Sequence, residues 1–217
     1  MFRNLILVIP LLFMGCVSEG QVVVDEAHEV YEGVKTLDVK GGFCSIEIVG
    51  ENRDNVQFDG VISAARDNSD YRIRHELKGD ELRVWVETPS MSWSAKGKLT
   101  FVVPENVNVF VNNSSGSVKV DNIVYGALIV KASSGSVSIS NTISNAKVGA
   151  SSGSVSVSNH QGDLEVNCSS GSLKLSSIKG AISAQASSGS VKIEDSEGDI
   201  FVNASSGSIS INGASGV

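Results

Sequence analysis

The sequence predicts an all-β fold, a parallel β-solenoid (β-helix) with about 18 residues per rung and an antiparallel, β-rich cap at its N-terminal end. A rung here means one full turn of the chain around the solenoid. Three observations predict this fold. The string SSGS recurs at nearly constant spacing, apolar and polar residues alternate between its copies, and a differently patterned segment precedes them.

The SSGS string is the most specific of these observations. Its six copies begin at Ser114, Ser133, Ser151, Ser169, Ser187 and Ser205, so the successive spacings are 19, 18, 18, 18 and 18 residues. A second glycine lies about halfway between most SSGS glycines, and Asn145 takes its place once. Because Asn is the residue that best tolerates positive φ after Gly, we expect both series to be left-handed corners.

The residues between the corners alternate with a period of two, which indicates half-buried strands. The apolar pairs of the first strand in each unit are Val118/Val120, Val137/Ile139, Val155/Val157, Leu173/Leu175, Val191/Ile193 and Ile209/Ile211. The second strand repeats the pattern at Leu128/Val130, Ala146/Val148, Leu164/Val166, Ile182/Ala184 and Ile200/Val202. Each unit therefore contains a strand, a corner, a second strand and a second corner.

Two architectures accommodate such units: stacked parallel rungs and an antiparallel meander of hairpins. The nearly invariant length favours stacking, because stacked rungs must stay in register. The residue before each later SSGS is always small, as a tight inward bend requires: Ala132, Ala150, Cys168, Ala186 and Ala204. The handedness and cross-section of the solenoid are left open by these patterns.

We expect residues 34–217 to form a single β-solenoid domain, with the six SSGS repeats in residues 113–217. Residues 34–112 contain one degenerate rung around Gly41 and Gly42, and then longer alternating segments at residues 71–75, 82–86 and 99–103. The turn Lys78-Gly79-Asp80 predicts an antiparallel hairpin between the first two. Since a solenoid needs a terminal cap, this region is the natural candidate.

The N-terminal residues predict export. Arg3 precedes an apolar run at residues 5–14, which is too short to span a membrane, and we assign residues 1–15 to a signal peptide. The run ends at Gly15-Cys16, an order that resembles the lipobox of bacterial lipoproteins and implies lipidation of Cys16. An ordinary secretory signal with an incidental cysteine is the alternative. Residues 16–33, rich in Asp and Glu, are expected to be an acidic tether to the outer membrane or cell surface, in which Val22-Val23-Val24 could add a short strand.

Two further features of the sequence concern the remaining cysteines and the net charge. Cys44 and Cys168 could pair in an oxidising compartment or could serve as small core residues, and both readings stay open. The formal net charge of −7 disfavours nucleic acid as a partner.

No convergent set of catalytic groups is evident. His28, His75 and His160 have no ligand or triad neighbour at a useful spacing, so we expect solvated histidines, no metal and no cofactor. A carbohydrate-active β-helix enzyme needs clustered carboxylates. The acidic residues of the repeats are instead scattered: Asp163, Glu165, Glu194 and Asp199.

The alternation does predict a polar surface. One outward column holds the last serine of each motif: Ser117, Ser136, Ser154, Ser172, Ser190 and Ser208. A neighbouring column holds Lys119, Lys174 and Lys192 interspersed with Ser138, Ser156 and Ser210. Such an array could bind a glycan or an envelope protein through many weak contacts; the alternative is that small polar residues only keep a stacked sheet soluble.

No capping pattern follows the last SSGS motif in the sequence. The strand edges of that rung are therefore expected to be exposed, and natural proteins normally block such edges. Either the terminus folds over this edge, or the edge pairs with another molecule. We expect the C-terminal rung to mediate self-association.

The segment LTFVVPENVNVFVNNSSGSVKVDN at residues 99–122, followed by repeats such as SSGSVSIS, resembles the putative-adhesin family of bacterial envelope proteins. That family is similar in style to auto-transporter adhesin heads. The resemblance implies a β-rich start joined to Ser-Gly rungs and an envelope location, and no functional residue is carried over from it. Three functions follow as hypotheses: a non-enzymatic scaffold or adhesin, an envelope-stress sensor or regulatory binding module, and a carbohydrate-active enzyme.

Overall fold

The computed structural model describes residues 21–66, 70–89 and 94–216. The predicted signal peptide and Cys16 lie outside these residues. The described residues form 19 strands and no helix. In chain order the strands are β1 Val22–Glu32, β2 Thr36–Gly42, β3 Ser45–Glu51, β4 Asn55–Ala64, β5 Arg72–Lys78, β6 Glu81–Glu87, β7 Ala95–Pro104, β8 Asn108–Asn113, β9 Val118–Asp121, β10 Leu128–Ala132, β11 Val137–Ile143, β12 Ala146–Ala150, β13 Val155–Gln161, β14 Leu164–Cys168, β15 Leu173–Lys179, β16 Ile182–Ala186, β17 Val191–Glu194, β18 Ile200–Ala204 and β19 Ile209–Asn212.

The strands form two sheets whose order follows the stacking of the repeats. Sheet A has ten strands in the order β1-β4-β7-β3-β9-β11-β13-β15-β17-β19, and sheet B has nine in the order β18-β16-β14-β12-β10-β8-β2-β6-β5. From β9 and β8 onward, all neighbours within each sheet are parallel. The parallel arrangement expected for the repeats is therefore confirmed, and the meander of hairpins is not what the repeats form.

The register shows where the single 19-residue spacing arises. Val137 of β11 pairs with Val118 of β9, 19 residues earlier, whereas Ala146 of β12 pairs with Leu128 of β10, 18 residues earlier. The extra residue thus lies in the corner before Leu128. Tyr125 stands in this corner with φ 67° and 82% of its surface exposed.

The core lies between the two sheets. The apolar pairs that alternate along the strands point inward and are almost fully buried from β9 to β17, and they join one continuous cluster that also includes the N-terminal strands. The residue before SSGS is buried as expected at Ala132, Ala150, Cys168 and Ala186. Small side chains are needed there because the chain turns sharply between the sheets.

The expected left-handed corners are only partly correct. The SSGS glycines and Asn145 do not have positive φ, whereas Gly162, Gly180 and Gly198 do. Glycine is required in the SSGS motif for a different reason, because successive rungs approach closely there. A Cβ on Gly153 would lie 1.9 Å from the carbonyl oxygen of Gly135 in the preceding rung.

A second left-handed column was not predicted. It bends the chain within β11, β13 and β15 and just after β9, β17 and β19, and it consists of Asn122, Asn141, Asn159, Ser177, Asp195 and Gly213. Asn and Asp tolerate this conformation best among residues with a side chain. Some of these side chains also hydrogen bond along the stack, since Asn159 Nδ2 donates to Asn141 Oδ1 at 3.1 Å.

The N-terminal region adds strands to both sheets. As predicted, β2 and β3 form a degenerate rung that pairs in parallel with β8 and β9, and β5 and β6 form an antiparallel hairpin. β4 and β1 extend sheet A in antiparallel fashion.

The expected tether at residues 16–33 is wrong for Val22–Glu32, which form the eleven-residue strand β1. Most side chains of β1 are exposed, because this strand lies at the edge of sheet A. Charged residues are common on edge strands, where they discourage pairing with other chains. The acidic composition that suggested a tether therefore belongs to an edge strand.

Candidate binding surface

The outer face of sheet A carries the two columns predicted from the sequence. Along β9, β11, β13, β15, β17 and β19, inward apolar residues alternate with outward polar ones, and parallel pairing places equivalent residues side by side. The last serine of each SSGS motif immediately precedes the strand. All six of these serines, from Ser117 to Ser208, are exposed.

The column beside them is continuous from one rung to the next. Lys119 is paired with Ser138, Ser138 with Ser156, Ser156 with Lys174, Lys174 with Lys192, and Lys192 with Ser210. The predicted lysines are therefore brought into one line, with neighbouring strands about 4.8 Å apart.

Two carboxylates that the sequence reading did not place belong to the same face. Glu47 of β3 is paired with Lys119 and lies 3.2 Å from its Nζ and 3.1 Å from Lys98 Nζ. Glu194 lies 2.8 Å from Lys192 Nζ and 4.0 Å from Lys174 Nζ. Paired charges therefore lie on either side of the hydroxyl groups of Ser138 and Ser156, and Ser210 follows Lys192 at the end of the column.

These ion pairs lower the pKa values of the two carboxyl groups. The hydrogen bond from Lys98, followed by that from Lys119, holds the pKa of Glu47 below its usual range. The hydrogen bond from Lys192 does the same to the pKa of Glu194. Lys119 and Lys192 are about half exposed, so each pair contributes little to stability.

Glu194 could have been found from the sequence, because it lies two residues after Lys192 on the same face of a strand. Glu47 could not, since its place depends on the pairing of β3 with β9 across about 70 intervening residues.

The serine column is partly linked by its own hydroxyl groups. Ser208 Oγ donates to Ser190 Oγ at 3.1 Å, and Ser117 Oγ donates to Ser45 Oγ at 3.3 Å. A hydroxyl group has one proton and two lone pairs, so each linked serine keeps further capacity to bind a ligand.

His160 differs from the solvated histidine that was expected, whereas His28 does not. His160 is only 1% exposed, and its Nδ1 lies 2.7 Å from Thr142 Oγ1, so the expectation was wrong there. Its ring points inward because it occupies an inward position just beyond the left-handed Asn159, and burial lowers its pKa. His28 is exposed and lies 2.8 Å from Asp59, while His75 is hydrogen bonded to the Tyr31 hydroxyl.

Cys44 and Cys168 are buried free thiols and do not pair. About four rungs, or roughly 19 Å, separate them along the stack. Burial raises the pKa of the Cys44 thiol to about 12. Cys168 Sγ donates to the carbonyl oxygen of Gly171 at 3.1 Å. Both are therefore core residues, which was one of the two readings of the sequence.

Two grooves of the described residues are candidate ligand sites. One groove of about 240 Å³ lies between the loops at residues 33–35, 51–54 and 104–106, and one of about 210 Å³ lies beside the SSGS corners of β14, β16 and β18. Asp163, Glu165, Glu194 and Asp199 line neither groove, whereas Glu51, Asp54 and Glu105 line the first. Across the described ranges, no three metal-ligating side chains gather and no helix is long and apolar enough to span a membrane.

The comparison with protein families covers nearly all of this architecture. Residues 34–215 match the model of the family described as Toastrack DUF4097. The chain belongs to the Toastrack DUF4097 family. The match begins two residues before β2 and ends at the last bridge of the stack, so it includes every strand from β2 to β19 and leaves out β1.

Two solved structures are similar to this Toastrack chain at low identity. One, from Clostridium sporogenes, is described as a putative cell adhesion protein; it is 12% identical, has a TM-score of 0.37, and the match covers 88% of this chain and 100% of the other. The other, from Bacteroides fragilis, is described as a putative adhesin; it is 14% identical, has a TM-score of 0.39, and the match covers 89% and 97%. No protein with a curated description matches the chain.

Proposed function

We propose that this Toastrack chain is an exported, membrane-anchored scaffold or adhesin-like binding protein without enzymatic activity, and that it binds through the outer face of sheet A. The observation that supports this function is the in-register array of serine hydroxyls and paired lysines on that face. A repeated array binds a repeated ligand through many weak contacts, so a glycan is the ligand class that fits best.

The test is a pair of substitutions in the middle of the array. Ser156→Glu with Lys174→Glu introduces negative charge where a hydroxyl and an ammonium group now stand, and binding to a glycan array and to whole cells is expected to fall strongly. The matched control is Ser183→Glu with Lys131→Glu on the outer face of sheet B, where the serine is also half-buried and the lysine also exposed.

Because both pairs change the net charge equally, a general charge effect would lower binding for both. Loss of binding in the first pair alone supports the proposal. Unchanged binding in the first pair contradicts it, and binding to an envelope protein in place of a glycan would favour the regulatory module.

Lipidation of Cys16 is the proposed membrane anchor. A Cys16→Ser variant of the full chain is expected to move from the membrane fraction to the soluble fraction of the envelope, because acyl chains supply about 0.8 kcal/mol per buried methylene. Cys168→Ala is the matched control, since alanine occupies the equivalent position in neighbouring rungs. A Cys16→Ser variant that stays in the membrane fraction would contradict the anchor.

We also propose that the repeat unit is a rung of about 18 residues and that the N-terminal strands cap a single domain. Support for a cap comes from the way the edges of the two sheets meet there. Asp25 Oδ2 of β1 accepts a hydrogen bond from the backbone N–H of Ile73 in β5 at 2.6 Å. Beneath this contact, Tyr71 and Phe58 are buried, so the core is covered at this end.

A further inference from the structure

The opposite end of the stack is open among the described residues. Ile209 and Ile211 of β19 occupy the same inward columns as Val191 and Ile193 of β17, with which they pair. Val191 and Ile193 are 1% and 0% exposed, whereas Ile209 and Ile211 are 47% and 43% exposed. Phe201, on the outer face of β18, is 62% exposed. Apolar surface of this kind is typical of a contact site.

The backbone at this end is also available for pairing. β19 and β18 are the end strands of sheets A and B, so in the described part of the chain each has one edge without a neighbouring strand. Natural edge strands are usually blocked by charged residues, proline or a bulge. Residues 200–216 contain no Lys, Arg, Asp, Glu or Pro. This edge therefore has neither a block nor a charge that would repel an identical edge.

We propose that this end binds the same end of a second copy of the chain, related by a two-fold axis. Such an axis passes through the last rung from sheet A to sheet B. Rotation about it places sheet A of the second copy in line with sheet A of the first, and sheet B in line with sheet B, with the strand directions reversed. β19 then pairs with β19 of the other copy in antiparallel fashion, and β18 pairs with β18. Both sheets continue across the contact, and the open ends of the two cores cover each other.

Such a contact is self-complementary, as a two-fold interface must be. With β19 centred on Ser210, Ile209 of one copy faces Ile211 of the other, and the two Ser210 residues face each other on the outer side. Directly opposed residues in antiparallel strands have Cα atoms about 4.5–5.5 Å apart. That separation lies within the range of a disulfide, so a cysteine at this position reports the geometry.

The proposal is independent of what the outer face of sheet A binds, and its test is cysteine cross-linking of the full chain in intact cell envelopes. Ser210→Cys is expected to give a disulfide-linked dimer on a non-reducing gel after mild oxidation. Ser138→Cys is the matched control, because it is exposed in the same column but lies in the middle of the sheet. Wild-type protein gives the background from the native cysteines.

A second variant tests the apolar contact. Adding Ile211→Lys to Ser210→Cys is expected to abolish the cross-link, since it places a charge against Ile209 of the other copy. Native mass spectrometry of the detergent-extracted full chain should show a dimer for the wild type and a monomer for Ile211→Lys. A monomeric wild type, or an oligomer in which Ser210→Cys cross-links no more than Ser138→Cys, would overturn the two-fold contact.

Discussion

At the scale of single residues, the SSGS glycines are determined by the neighbouring rung. A Cβ on Gly135, Gly153, Gly171, Gly189 or Gly207 would lie about 2 Å from a backbone carbonyl oxygen of the rung before it. The corners are held by backbone hydrogen bonds between rungs, such as that from the Ser152 N–H to the Ser133 carbonyl oxygen, so these atoms cannot move aside without breaking them. The glycine is therefore required by close packing and not by its own torsion angles.

Gly153→Ala is accordingly expected to destabilise the protein by about 1–3 kcal/mol, the usual effect of overpacking. Gly149→Ala in β12 is the control, because its Cβ would meet nothing closer than 4.0 Å. Alanine there should be neutral or slightly stabilising. Urea unfolding of both variants measures the difference, and equal midpoints would contradict the packing explanation.

His160 is the residue that should make stability depend on pH. It shares its inward column with Ile123, Thr142, Ile178 and Ser196, so it is a polar residue in a position that also accepts isoleucine. Burial lowers the pKa of its ring, although backbone carbonyls and the charge of Asp163 act in the opposite direction. The folded protein therefore keeps His160 neutral at a pH where the unfolded chain binds a proton.

Because the unfolded chain binds more protons below about pH 6.5, stability is expected to fall as the pH is lowered through that value. One proton gives a slope of at most about 1.4 kcal/mol per pH unit. The comparison is with Thr142→Val/His160→Ile, which removes the titrating group and its hydroxyl partner together. Chemical unfolding at pH 7.5 and 5.5 should show a smaller loss for the double variant, and equal losses would exclude His160 as the cause.

At the scale of elements, the contact between β1 and β5 joins the edges of the two sheets. The Asp25 carboxylate accepts from the Ile73 N–H of β5, and the Tyr31 hydroxyl is hydrogen bonded to His75 farther along the same pair of strands. β5 is the end strand of sheet B, so Asp25 occupies a backbone donor that no neighbouring strand satisfies within the described chain.

Asp25→Ala is expected to leave that N–H without its acceptor and to cost about 1–2 kcal/mol. Hydrogen exchange provides the more specific readout, because the amide of Ile73 should lose protection while the amides of β13 and β15 keep theirs. Glu26→Ala, at the exposed neighbouring position, is the control and should change neither. If the Ile73 amide exchanges equally in both variants, Asp25 does not secure this edge.

The elements that the sequence predicted are those with a local signal. Strands β9 to β19 follow from the period-two alternation, and the hairpin of β5 and β6 follows from its Gly79 turn. Most of β1 was missed, beyond a short strand at Val22-Val23-Val24, because an edge strand that is mostly exposed has no buried face and therefore no alternation of apolar and polar residues. The Asn122 series was missed because the alternation between corners suggested straight strands, whereas the chain bends at those positions.

The candidate site was predictable to a similar degree. The serine and lysine columns follow from the repeat alone, since parallel stacking places equivalent residues side by side. The partners of the lysines depend partly on pairing over long separations, as with Glu47 and Lys119. The inward ring of His160 depends on the bend at Asn159, so the sequence alone could not distinguish it from an exposed corner residue.

At the scale of the whole molecule, one continuous core between two sheets makes the outer faces regular. The outward columns of the repeats in sheet A follow the spacing between strands, and both the proposed binding surface and the proposed two-fold contact depend on that regularity. If the repeats were not stacked in register, neither the lysine line nor the exposed edge of β19 would exist in this form.

The distance between spin labels in one outward column tests this central feature most directly. Ser136 and Ser208 are four rungs apart, and Ser117 and Ser208 are five, so the strand spacing predicts about 19 Å and about 24 Å between their backbones. Cys44 and Cys168 are buried and should not take up the label. Pulsed electron paramagnetic resonance should show the second pair about 5 Å farther apart than the first. Distances that do not increase with the number of intervening repeats would contradict the parallel stack.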